Sequence, residues 1–170
     1  MYSVCATKKL LDRVKEPARA VVEPTTVLGN WYATAIFTRP QAALFVNEQT
    51  LLPVFLPLAP ARDLWYRFPA ALSEILWALG VSDEFCAVEF EQMKECVYSA
   101  TQSRSVLGVM NEFVHSVRMA PEMDFFELSL AMSYMPCGPL FKRHVSPDDE
   151  TVALLRSKDI EVGARKVPRR

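Results

Sequence analysis

Two lysines lie where a helix would favour acids. Thr7-Lys8-Lys9 follows the apolar run Tyr2–Ala6 and precedes Leu10, Leu11 and Val14 at helical spacing. Thr7 reads as the N-cap and the lysines as first-turn residues, where the helix dipole opposes a cation by ~0.3–1 kcal/mol. Free N–H groups at the same place attract anions. The triplet is therefore a candidate phosphate or carboxylate site, and the competing reading is a solvated pair held by Asp12 or Glu16. A second set, Arg104, Gly108, Asn111, His115 and Arg118, follows 4-3-4-3 spacing and shares one helical face. Gly108 costs that helix ~1 kcal/mol relative to Ala and clears space between Arg104 and Asn111. This face is either a polar groove for a ligand or a solvated stripe whose glycine packs on a sheet. Asn30 joins Thr7, Lys8, Lys9, Arg104 and Asn111 as the ligand-binding candidates. Glu48 and His115 are the acid/base candidates, although Asn47-Glu48-Gln49-Thr50 reads more simply as a turn whose side chains bond the local backbone.

Other residues carry weaker signals. Trp31-Tyr32 and Trp65-Tyr66 offer stacking or partner-binding area, against the simpler division between core and rim. Met119, Met123, Met132 and Met135 read as core filling. Cys137, in Pro136-Cys137-Gly138-Pro139, becomes a reactive thiol only with a cation such as Lys142 or Arg143 beside it. The four cysteines are far apart, and neither His115 nor His144 stands at ligand spacing from one, so no metal is expected. Phosphate-loop, dinucleotide-binding, nucleophile-elbow and H-E-x-x-H patterns are all missing. Five glycines and two histidines leave little for a phosphate cradle or a His-based acid/base pair, and no cofactor is implied.

The elements that must position these residues follow from the pattern. Tyr2–Ala6, Trp31–Thr38, Ala42–Asn47 and Leu51–Leu58 read as strands, the last at an edge because of Pro53 and Pro57. Cys96–Thr101 is a further strand. Helices are predicted over Lys8–Lys15, Leu64–Leu79 with a kink or restart at Pro69, Ser82 to about Met93, Arg104–Met119 and Met123–Met135. A last helix starts at Ser146-Pro147-Asp148-Asp149-Glu150, with a cap, a first-turn proline and acids. The fold class is α+β: residues 1–157 form one domain, a small, mainly antiparallel N-terminal sheet packed on four to five helices. Residues 158–170, with five Lys or Arg and no apolar face, read as a flexible basic tail.

The chain has 170 residues, 51% hydrophobic and 23% charged, which suits one soluble core. Its net charge of −1 gives no global basic field, so nucleic acid is not favoured as a partner. The longest apolar run, Leu51–Ala61, carries three prolines and falls short of the ~18 residues that cross a bilayer. No membrane role is expected. The N-terminus places its charges after the apolar stretch, unlike a signal peptide, so the cysteines read as reduced thiols of a cytoplasmic protein.

Ala6–Arg13, Leu28–Ala33, Leu44–Leu52 and Ser103–Phe113, with Pro136–Leu140, together resemble an uncharacterised bacterial domain family of unknown function, over about Ala6 to Leu155. The resemblance implies a single bacterial cytoplasmic domain and no particular reaction. Some members resemble the front part of proteins encoded beside plasmid or transposon genes. Two functional classes follow. The first is a binding or interaction protein, in a mobile-element or defence setting, with another protein or an anionic ligand as partner. The second is an enzyme or binder acting on a phosphate-bearing small molecule or nucleic acid.

Overall fold

In the computed structural model, residues 1–119, 123–136 and 145–167 are described. Cys137, Lys142, Arg143 and His144 lie outside the described residues. The chain runs β1 (Tyr2–Ala6), α1 (Lys8–Val14), β2 (Trp31–Ile36), β3 (Ala42–Asn47), β4 (Pro53–Pro57), a 3-10 turn (Ala61–Asp63), α2 (Leu64–Ala78), α3 (Asp83–Gln92), β5 (Cys96–Ala100), α4 (Arg104–Met119), α5 (Phe125–Ser133) and α6 (Pro147–Ser157). The five strands form one sheet in the order β4-β3-β2-β1-β5, and the protein is a single α+β domain. β2, β3 and β4 pair antiparallel, whereas β1 pairs parallel with both β2 and β5, so the sheet is mixed. Every residue of β1 is buried, as a strand with parallel neighbours and a covered face on each side requires.

Alternation divides the strands between two cores. Tyr2, Val4, Ala33, Phe45 and Leu56 face α2, where Phe68 stacks on Phe45 at 4.2 Å between centroids and meets Trp31 edge-on at 4.8 Å. Cys5, Tyr32, Leu44, Val46 and Phe55 face Val106, Val109, Met110 and Phe113 of α4 and Leu128 of α5. α2 runs without a break through Pro69, where the sequence predicted a kink or restart. The start of α2 is tied down by Arg67, which donates to the carbonyls of Pro57 and Pro60 at 3.0 and 2.8 Å. β4 is an edge strand, and its open side is closed: Pro53 and Pro57 have no N–H, and the Phe55 N–H donates to Ser129 Oγ of α5 at 2.8 Å.

The irregular segment before β2 is held by buried side chains. Glu89 of α3, only 2% exposed, accepts the Val27 and Leu28 N–H groups at 2.8 Å each. Asn47 Nδ2 donates to the Leu28 carbonyl at 2.8 Å, and its Oδ1 accepts the N–H groups of Gln49 and Thr50.

The segment after α6 is packed where composition alone suggested an unattached tail from residue 158. Val162 is buried and bridges to Val81, and the Gly163 N–H donates to Gly80 O at 2.9 Å. The Lys166 N–H reaches Ala78 O at 3.0 Å, and Arg165 pairs with Asp148 at 2.5 Å and Asp149 at 2.7 Å. Val162, Ile160 and Val167 share no helical period, yet Val162 is buried and the other two are half-buried against the main core. At Gly80 (φ +88°) a Cβ would stand 2.5 Å from the Ala164 carbonyl oxygen. Truncation after Ser157 is accordingly expected to lower the melting temperature by several degrees. Gly80→Ala should cost about 1–3 kcal/mol in denaturant unfolding, through both the positive φ and the backbone clash. An unchanged midpoint in both variants would show that the segment is not held.

Candidate functional site

The residues singled out by sequence fall into three groups. Thr7 occupies the N-cap position of α1, but its hydroxyl meets Thr34 Oγ1 at 2.9 Å rather than capping the helix. Lys8 pairs with Asp12 at 3.1 Å on an exposed face, which is the solvated alternative. α1 has seven residues, too short for its N-terminus to serve as an anion site by itself. Asn30 is buried, and its Oδ1 accepts the Ser3 N–H at 2.8 Å, so it joins the β2 approach to β1. Glu48 is exposed at the β3–β4 turn and lines a cleft of about 470 Å³ with Glu150 and Leu154, which the α1 lysines do not line.

α4 turns Val106, Val109, Met110, Phe113 and Val117 into the core. That leaves Arg104, Asn111, His115 and Arg118 exposed, with Gly108 half-buried. Ser103 caps the helix through the Val106 N–H at 3.3 Å, and the Tyr32 hydroxyl accepts the Ser103 N–H at 3.2 Å. None of the five clefts described here is lined by Thr7, Lys8, Arg104, Asn111 or His115. The polar stripe and the α1 lysines thus share no wall of these five clefts. They meet at one point. Lys9 is desolvated against the protein and lies near enough to Arg118 for that charge to act on it, and both effects hold its ammonium below the ordinary lysine range.

Arg118 also lines a cleft of about 500 Å³ between the β2–β3 turn, the end of α4 and the start of α5. Arg39 and Pro40 form one side, and Val117, Phe125 and Leu128 form an apolar floor. Asp124 caps α5 at its mouth by accepting the Glu127 N–H at 2.8 Å. Beside the cleft, Arg13 lies over the Phe37 ring at 5.4 Å and donates to Gln41 at 2.6 Å. Lys9, Arg39 and Arg118 have no side-chain hydrogen bond or ion pair among the described residues. Arg39 was missed from sequence because a turn arginine beside a proline carries no periodic signal. Only the fold brings it to the end of α4.

The three described cysteines are not activated. Burial pushes the Cys5 and Cys86 thiols up to about 11 and Cys96 up to about 12, the opposite of an activated nucleophile. These three cysteines form no disulfide. Among the described residues no group of three or more His, Cys, Asp and Glu could hold a metal, and no helix is long and apolar enough to cross a membrane. Of the two aromatic pairs singled out by sequence, Trp31 and Tyr32 are core residues, whereas Trp65 and Tyr66 are 40% and 71% exposed.

The lowered Lys9 value carries a sign. Its folded value lies below its unfolded one, so charging it opposes folding at neutral pH, and that cost fades as pH rises through the folded value. Arg118→Gln should raise the Lys9 value towards that of a free lysine, read from its side-chain carbon shifts during a pH titration by NMR. The melting temperature should rise slightly at pH 7 and show no such gain once Lys9 is neutral. A Lys9 titration that does not move would remove Arg118 from its neighbourhood.

One family model matches the chain, over residues 3–150, with the description Domain of unknown function (DUF6933). Neither the curated proteins nor the solved structures give a match.

Proposed function

Because the chain belongs to the DUF6933 family, whose description carries no activity, the function must be read from the surface, and we propose that this is a binding protein whose partner presents an acidic segment. The observation that carries this reading is the pair of cations Arg39 and Arg118 lining the apolar-floored cleft, with Lys9 close enough to Arg118 for its charge to act on it and Asp124 the one carboxylate in the lining. Holding like charges together costs free energy in the isolated protein, and an arriving anion relieves that cost. The apolar floor of Val117, Phe125 and Leu128 suits a polypeptide better than a bare phosphate, because it rewards side chains placed beside the charge. The buried thiols of Cys5, Cys86 and Cys96 and the backbone-clamped Glu89 favour recognition over covalent chemistry.

The test is binding of a labelled hexaglutamate peptide, followed by anisotropy, with inorganic phosphate and ATP as competitors. The expected result is salt-sensitive binding that Arg118→Glu weakens by about tenfold and Lys9→Glu weakens further. Phosphate or ATP binding at the same residues, with no response to the peptide, would transfer the site to a phosphate-bearing small molecule. Peptide binding that neither charge reversal alters would place the contact elsewhere and overturn the reading.

A further inference from the structure

A second cleft, of about 370 Å³ and opposite in sign, lies where the end of α2, the start of α3 and the start of α5 meet. Its lining is Ser73, Glu74, Trp77, Asp83 and Phe126. Trp77 is 45% exposed, an unusual condition for the largest apolar side chain at the end of a core helix. Glu74 and Asp83 are exposed and have no side-chain hydrogen bond or ion pair among the described residues. One wall is therefore an indole face and the others carry two free carboxylates, a combination that suits an ammonium or guanidinium group.

The chain already places such a group there. Lys166 extends its Nζ over the Trp77 ring, 4.8 Å from the centroid, while its own N–H donates to the Ala78 carbonyl at 3.0 Å. The charges of Lys166 and Asp83 act on the same neighbour, the Cys86 thiol, in opposite directions, so the lysine stands on the acidic side of this face. The backbone bond does not need the lysine side chain; the anchors of the segment are Val162, Gly163 and Arg165. The ammonium over Trp77 is thus a loosely held occupant of a seat built from aromatic and acidic groups.

We propose that this face is a docking site for a basic peptide segment of a partner protein, and that Lys166 is its built-in competitor. The partner's lysine or arginine takes the place of Lys166 over Trp77 and extends between Glu74 and Asp83. The site shares no lining residue with the cationic cleft and does not depend on the reading of that cleft.

The experiment uses the full chain and a labelled hexalysine peptide, with hexaglutamate as the control. Lys166→Ala removes the competitor and keeps the backbone bond, so hexalysine should bind about two- to fivefold more tightly. Trp77→Leu, and separately Glu74→Gln with Asp83→Asn, should weaken binding in the Lys166→Ala background to below the wild-type level. Melting curves confirm that each variant is folded, and two independent routes to the loss guard against one that is not. Equal hexalysine affinity in every variant would mean attraction to the acidic surface at large and overturn the proposal. Absence of binding even in Lys166→Ala would leave the seat to the chain's own segment and overturn it equally.

Discussion

The buried carboxylate of Glu89 is the constraint on which the sheet depends. β2 must lie parallel to β1, yet the segment joining α1 to β2 has no regular structure of its own to guide it. Two N–H groups at the end of that segment, from Val27 and Leu28, have no strand partner and would be costly to bury unpaired. Glu89 accepts both. Desolvation pushes its carboxyl up, while the two N–H donors and the nearby terminal ammonium pull it back down. The net shift is upward, so ionisation here works against folding as pH rises through the range, and the hydrogen bonds offset much of that cost.

From this clamp the rest follows in order. Asn30 and Asn47 stand on either side of the clamped residues: Asn30 fixes the approach to β1 through Ser3, and Asn47 holds both Leu28 and the β3–β4 turn. Thr50 of that turn accepts from Thr151 of α6 at 3.0 Å, which carries the same buried network to the last helix. With the register of β1, β2 and β3 set, alternation alone decides which side chains face α2 and which face α4. A polar network that is fully bonded specifies one arrangement; each partial alternative leaves a buried donor unpaired.

Much of this frame is legible in the sequence. Period-2 and helical patterns locate the elements, the prolines of β4 mark it as an edge, and Ser82 and Ser103 mark two helix starts through real side-chain caps. What the sequence hides is long-range. Thr7 and Ser146 stand at N-cap positions but spend their hydroxyls elsewhere, on Thr34 and on Asp148 and Asp149. Asn30, one of the ligand-binding candidates, bonds a strand 27 positions away, which no local reading of the sequence shows. The parallel ladders of β1 are set by crossovers that no local window contains. The proposed cationic site was half legible, since Lys9 and Arg118 lie on recognisable helices, while Arg39 enters through a turn.

The first turn of α5 ties the two clefts together. Phe125 lines the cationic cleft and Phe126 lines the aromatic–acidic one, so consecutive residues of one helix start contribute to surfaces of opposite sign. The orientation of that turn is fixed at both ends: Asp124 caps it, and Ser129, one turn on, bonds the open edge of β4. The hydrogen bond that closes a sheet edge against mispairing therefore also helps to fix the shared wall of the two clefts proposed as recognition surfaces. Arg118 lines only the first of these clefts and Trp77 only the second. Loss of the Ser129 hydroxyl frees a buried N–H on β4 and loosens the wall that both share, so structural and recognition effects become inseparable at that residue.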